Sequence, residues 1–210
     1  MKPLCPRDAS QRGISRGHGI CRRRNLLSRL AAMASGWLLI GLPGMLGQHS
    51  KPTEYEVKAT YLYNFTHFVE WPAKVGEGPS DSFDICVLGH DPFGAALNAT
   101  VAQETIAGKN VVARQIPVPE DAVNCRVLFI SSSEDKRLKQ ILTRLGTASV
   151  LTVSDLPQFT EHGGMVQFVL EGNRVRFEVN SATAERAGLI LSSELLKVAI
   201  NVRRSVQLGD

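Results

Sequence analysis

Beyond residue 47, the side chains best suited to metal or nucleophilic chemistry are His49, His67, His90 and His162, Cys86 and Cys125, and the run Ser131-Ser132-Ser133. A zinc or copper site draws on His and Cys at short, regular spacing. These histidines are widely separated, with no HxH or HExxH pattern, so the chain is read as holding neither a metal nor another cofactor. A serine of the run, with His90 or His162 as base, would make a hydrolase. No G-x-S-x-G elbow surrounds it, and the same serines serve as the N-cap of the helix that follows. Gly89-His90-Asp91-Pro92-Phe93-Gly94 falls at a strand-to-helix turn, where open α/β sheets bind ligands. It lacks both the G-x-G-x-x-G spacing and the Walker lysine, so Gly89, His90 and Asp91 stand as candidate contacts and not as a nucleotide site. Gly163-Gly164-Met165 is either a contact loop or a tight turn before a strand. Lys58 falls on an apolar helix face; it pairs with Glu54 four residues earlier or meets an acidic group of a partner or ligand. Nothing in this set assembles an active site, and the reading is a protein that is not an enzyme.

The compartment decides how the cysteines are read. Arg22, Arg23, Arg24 and Arg29 precede an uncharged apolar run from Leu30 to about Leu46. That is the layout of a cleaved export signal over residues 1–47. Gly36, Gly41, Pro43 and Gly44 interrupt the run, which is short for a membrane span. Cys21 lies before the run, so it is not a lipoprotein acceptor, and Arg23-Arg24 also fits twin-arginine export loosely. Residues 1–29 hold eight of the 24 Lys+Arg and one of the 20 Asp+Glu, leaving 16 against 19 and a net charge of about −3 over 48–210. The basic patch that nucleic-acid binding requires departs with the leader. Cys5 and Cys21 depart with it too. The remaining pair, Cys86 and Cys125, either bridges, as thiols in oxidising compartments commonly do, or packs as two small apolar residues. A bridge would close a loop of about 40 residues, worth roughly 4 kcal/mol in the chain-entropy picture.

The elements that would position these groups follow from periodicity. Thr53 and Glu56 have capping-box spacing and start a helix to Val69, with Trp71-Pro72 as its stop. Tyr55, Val57, Ala59, Tyr61, Leu62, Phe65, Phe68 and Val69 share one arc of it; Glu56, Thr60, Asn64 and His67 lie opposite. Strands are predicted at 83–89, 110–116, 126–131 and 149–153, and 76–82 is a flexible loop. Helices are predicted from Pro92 to Val101, with Asp91 as N-cap, from Ser133 to Leu145, over 181–187 and over 193–202. From Met165 the apolar period becomes two, with a hairpin turn at Glu171-Gly172-Asn173-Arg174. About 160 residues suit one domain. The expected fold is α/β: a single domain with a mostly parallel central sheet flanked by helices, and an antiparallel hairpin at the edge. Its first and third strands are expected to be neighbours, with Cys86 and Cys125 offset by a few residues.

Four segments in this order and spacing resemble the YfiR-like family of periplasmic proteins: Glu56 to Phe65 with Phe68 to Pro72; Cys86 to Gly89 with Asp91 to Gly94; Val150 to Asp155 with Phe159 and Gly163 to Val166; and Phe177 to Asn180 with Leu191 to Lys197. The resemblance spans about residues 54–203. It implies a periplasmic, non-enzymatic regulator that binds the periplasmic domain of an inner-membrane signalling protein, a diguanylate cyclase or a sensor kinase. Repression of that protein would lower cyclic-di-GMP output and biofilm formation. It also implies a Cys86–Cys125 disulfide. The family's second cysteine pair has no counterpart between Ser154 and Phe168, so the resemblance supports a structural bridge and does not by itself carry over the family's redox sensing. A homodimer would suit such a partner, because partners of this kind are usually symmetric; the sequence does not fix the oligomeric state. The alternative is a periplasmic small-ligand-binding module with its pocket at Gly89 to Phe93.

Overall fold

The computed structural model describes residues 51–72 and 82–204. The export signal over 1–47 and the loop at 76–81 lie outside the described residues. The first helix, α1 (Glu54–Phe65), starts on a complete capping box: the Thr53 hydroxyl accepts from the Glu56 N–H, and the Glu56 carboxylate accepts from the Thr53 N–H. Lys58, Ala59, Leu62 and Phe65 form its buried stripe, while Glu56, Thr60 and Asn64 face solvent.

The main sheet has eight strands: β2 (Ser82–Leu88), β3 (Thr105–Ile106), β4 (Lys109–Ile116), β5 (Val127–Ile130), β6 (Leu151–Ser154), β7 (Val166–Glu171), β8 (Arg174–Asn180) and β10 (Asn201–Arg203). Their order is β10-β8-β7-β6-β5-β2-β4-β3. The β2–β4, β2–β5, β5–β6, β6–β7 and β8–β10 pairs are parallel. The hairpins β7–β8 and β3–β4 are antiparallel. This is the mostly parallel α/β sheet expected, with the β7–β8 hairpin toward one side and one short strand outside it. A second, two-stranded sheet pairs β1 (Val69–Glu70) with β9 (Ile190–Leu191).

Strand alternation splits the core into two layers. Ile85 and Val87 of β2, Phe129 of β5 and Val153 of β6 pack with α1 and with α2 (Ala95–Val101). Cys86 and Leu88, Leu128 and Ile130 face the other way, against α3 (Leu138–Leu145). All four residues of β5 are buried, as a central strand covered on both faces requires.

Several helix limits differ from the periodicity reading, each for a tertiary reason. The first helix stops at Phe65 and not at Val69: Thr66, His67 and Phe68 donate to carbonyls three residues back, and Val69-Glu70 is drawn into pairing with β9. The helix expected from Pro92 starts at Ala95, with Gly94 as N-cap; Asp91 instead accepts from the Phe93 N–H in a local turn. That turn seats the Phe93 ring edge-on against Phe129. The helix expected from Ser133 begins as a 3-10 segment, Ser132–Arg137, before α3. After α4 (Ser181–Arg186), the last helix, α5 (Ser193–Val198), is shorter than expected. The Ile200 N–H binds the Phe177 carbonyl, and Asn201–Arg203 becomes a strand.

Cys86 and Cys125 are joined by a disulfide, with Cα atoms 5.9 Å apart. The first and third predicted strands are neighbours, but the register puts Leu128 opposite Cys86, three residues past Cys125. The offset does not prevent the bond, because Cys125 stands before β5, where the chain leaves the 3-10 turn Pro119–Asn124. Both cysteines are buried in the layer that faces α3.

Candidate functional site

The C-terminal ends of β2, β5 and β6 lie side by side and carry Gly89, Ser131 and Asp155. The chain moves from β2 to β4 on one side and back to β5 on the other, so the β2–β5 boundary is the topological switch point, where open sheets leave a crevice. Here protein fills it. Gly89 has φ +91, and a Cβ built on it would lie 2.4 Å from Ser133 Oγ and 2.8 Å from Glu134 Cγ. The Ser133 hydroxyl accepts from the backbone N–H of His90 at 2.9 Å, and Ser131 accepts from the Ser133 N–H. Ser131 and Ser133 are thus engaged by backbone N–H groups; His90 meets Ser133 through its main chain and not through its ring. On the opposite side of Gly89, whose carbonyl accepts from Gln115 Nε2, a cleft of about 350 Å³ is lined by Gly89, Gln115, Ile116 and Pro117.

Lys58 and Asp155 form the centre of a second group. Lys58 is almost fully buried and donates to Asp155 Oδ2 at 2.7 Å, while Glu54 Oε1 lies 2.6 Å away. The Glu54 partnership is the one expected from helical spacing. Asp155 is an addition, reached across 97 positions. The Tyr55 hydroxyl donates to the same Asp155 oxygen, and the Lys58 ammonium sits 4.4 Å from the Tyr55 ring centre. Burial, followed by the Asp155 charge, pushes the Tyr55 phenol up to about 12. A phenol shifted that way stays protonated at neutral pH and serves as a donor, the opposite of an activated nucleophile. Phe93 then links this group to the Gly89–Gly94 turn, its ring edge-on to Tyr55 at 5.5 Å.

Four of the sequence candidates, Lys58, Gly89, His90 and Asp91, therefore belong to one connected region at the strand ends. Gly163, Gly164 and Met165 lie on the β6–β7 connection, with other contacts. A Cβ on Gly164 would meet the Phe159 ring at 2.1 Å, and the Met165 N–H donates to Thr152 Oγ1 at 3.1 Å. Met165 is buried, and Gly163 has φ +99. Asp155 and Tyr55 had no candidate role from sequence. A lysine in the middle of an apolar arc was the signal that a distant carboxylate must reach it.

Among the described residues the buried or nearly buried carboxylates Asp84, Glu134 and Asp155 each have partners: Asp84 has Arg114 and Ser82, Glu134 has Arg137, and Asp155 has Lys58 and Tyr55. Among the described residues no group of three His, Cys, Asp or Glu side chains could hold a metal. Among them, too, no helix is long and apolar enough to cross a membrane.

The same stretches that build this region match the YfiR/HmsC-like family over residues 55–200. The chain belongs to that family. YfiR-like proteins are periplasmic and regulatory rather than catalytic, and they act in cyclic-di-GMP signalling. Solved structures similar to this YfiR-like chain include a conserved domain protein from Vibrio cholerae O1 biovar El Tor strain N16961, at 12% identity and TM-score 0.49, covering 73% of this chain and 62% of that one. Another is the ABC domain in complex with L-Trp from Streptococcus pneumonia, at 10% identity and TM-score 0.46, covering 69% and 60% respectively. The YfiR-like chain thus spans about three fifths of the length of either structure.

Proposed function

We propose that this protein is a periplasmic contact regulator. It binds the periplasmic domain of an inner-membrane signalling protein, a diguanylate cyclase in the first instance, and holds it in its inactive state. The observation that carries this reading is the family match over residues 55–200, nearly the whole described chain. Repression of this kind requires the regulator to prefer one state of its partner by a few kcal/mol. A symmetric membrane partner favours a dimeric regulator. The buried Cys86–Cys125 bridge acts as a structural brace in this scheme, fastening β2 to the entry of β5.

The test is affinity capture from detergent-solubilised membranes, using the oxidised protein and a Cys86→Ser/Cys125→Ser variant, with mass spectrometry of what is retained. Specific capture of a diguanylate cyclase or sensor kinase by both forms is expected. Capture by the oxidised form alone would make the bridge regulatory. Retention of no membrane signalling protein by either form would refute the proposal.

A further inference from the structure

The β7–β8 hairpin carries a group of cations that neither the fold nor the strand-end region uses. Arg174 and Arg176 alternate with the buried Val175, so both project from the same side of β8. Together with Lys51 they line a cleft of about 520 Å³ between the N-terminal half of α1 and the hairpin. Its apolar part is Val57, Tyr61 and the exposed Leu170. The one acid among its lining residues, Glu54, is turned to Lys58 at 2.6 Å, so the cleft keeps a net positive charge. No ion pair joins Lys51, Arg174 or Arg176 to a carboxylate among the described residues.

A second observation comes from the sheet. β8 pairs with β7 from Arg174 to Val179, but β10 covers its other side only from Glu178 to Asn180. Along Arg174–Arg176 that edge has no strand partner among the described residues. A free edge beside a positive cleft is a template for an extended segment of opposite charge: the edge takes its backbone, and the side-chain pockets take alternate residues.

We propose that this cleft docks an extended acidic segment of the membrane partner. Carboxylates of the segment lie on Arg174, Arg176 and Lys51, and an apolar side chain lies over Val57 and Tyr61. The inference rests on the contact-regulator reading and deepens it. Most of the lining side chains are exposed, which suits a strand laid along a groove better than an enclosed small molecule.

The experiment uses the mature protein, its Arg174→Glu/Arg176→Glu variant and its Arg174→Lys/Arg176→Lys variant. The two arginines are exposed, so each variant is expected to melt as the wild type does, and this is checked first. The periplasmic domain of the captured membrane protein is then purified, and its affinity is measured at low and high salt. Zero-length carbodiimide coupling, read by mass spectrometry, finds the carboxylate that meets Lys51. The expected result is a loss of about tenfold or more on charge reversal, a smaller loss with lysines, and a weaker salt dependence in the reversed variant. A cross-link from Lys51 to an Asp or Glu of the partner would accompany it. Unchanged affinity in the reversed variant overturns the cleft proposal while leaving the regulator reading intact. Failure of the wild type to capture any membrane protein overturns both. A metabolite screen in which an organic acid raises the melting temperature of the wild type but not of the reversed variant, with no membrane protein captured, would make the cleft a ligand pocket and overturn the partner proposal.

Discussion

Lys58 of α1 reaches Asp155 at the end of β6 through a 2.7 Å ion pair, across 97 positions of sequence. Lys58 is 5% exposed and Asp155 13%, so each charge depends on the other and on Tyr55 and Glu54 for its solvation. The pair fixes the first helix of the domain to the C-terminal edge of its sheet.

Removing one partner is therefore costly. Lys58→Met leaves Asp155 nearly buried with only the Tyr55 hydroxyl, and it is expected to lower stability by about 3 kcal/mol. The double variant Lys58→Met/Asp155→Leu should recover much of that loss, because no charge is left uncompensated. Urea denaturation of the two variants decides the point. A double variant as unstable as the single one would mean that the ion pair itself, and not the uncompensated charge, carries the effect.

The disulfide gives a second measurable quantity. Cys86 and Cys125 are 39 positions apart in sequence, so the bridge restricts the unfolded chain by roughly 4 kcal/mol in the entropy picture. The Cys86→Ala/Cys125→Ala variant is expected to lose a few kcal/mol and to denature identically with and without reductant. The wild type should shift toward the variant when reduced. Equal urea midpoints for oxidised wild type and variant would show that the bridge contributes nothing to folding.

What was legible in the sequence was local. The Thr53/Glu56 capping box, the continuous apolar Val127–Ile130 strand and the Gly172-Asn173 hairpin turn each rest on residues a few positions apart, and all three form. What escaped depends on partners far away. Nothing near Val69 announces that Ile190-Leu191 will take it out of the helix, and nothing near Ile200 announces its bond to Phe177. The β3–β4 hairpin was missed because its turn is Ala107-Gly108, with φ of 50° and 78°, and alanine is a rare choice there. In the candidate region, the Gly89 turn was placed correctly at the end of a strand. That Ser133 and Glu134 close its crevice follows only from the neighbouring strand.

All three tyrosines of the chain lie in α1, at positions 55, 61 and 63, which makes its titration readable by ultraviolet absorbance. Tyr55 is expected to ionise near 12, because burial and Asp155 both oppose its phenolate. Tyr63 is also raised, through its bond to Glu104. The folded-state pKa of Tyr55 lies above the unfolded value of 10, so its contribution to stability is complete below pH 10 and fades as pH rises toward 12. Stability of the wild type should thus fall more steeply over that window than stability of Tyr55→Phe. Parallel slopes, or a Tyr55 that titrates near 10, would contradict the buried Tyr55–Asp155 contact.

Gly164 offers the sharpest test of the β6–β7 connection. Glycine pairs before strands usually serve a turn, and Gly163, with φ +99, does so here. Gly164 is different: its φ is not in the left-handed region, and its restriction is the Phe159 ring, which a Cβ would approach to 2.1 Å. Phe159 is fully buried, so the ring has little room to withdraw. Gly164→Ala is therefore expected to destabilise the fold by about 2 kcal/mol through overpacking. If space is the cause, Phe159→Leu should suppress that penalty, and the Gly164→Ala/Phe159→Leu variant should be no less stable than Phe159→Leu alone. A double-mutant cycle by thermal or urea unfolding measures the coupling directly. Simple additivity would mean that Gly164 is constrained by its backbone and not by the ring, and that this turn tolerates no side chain of any size.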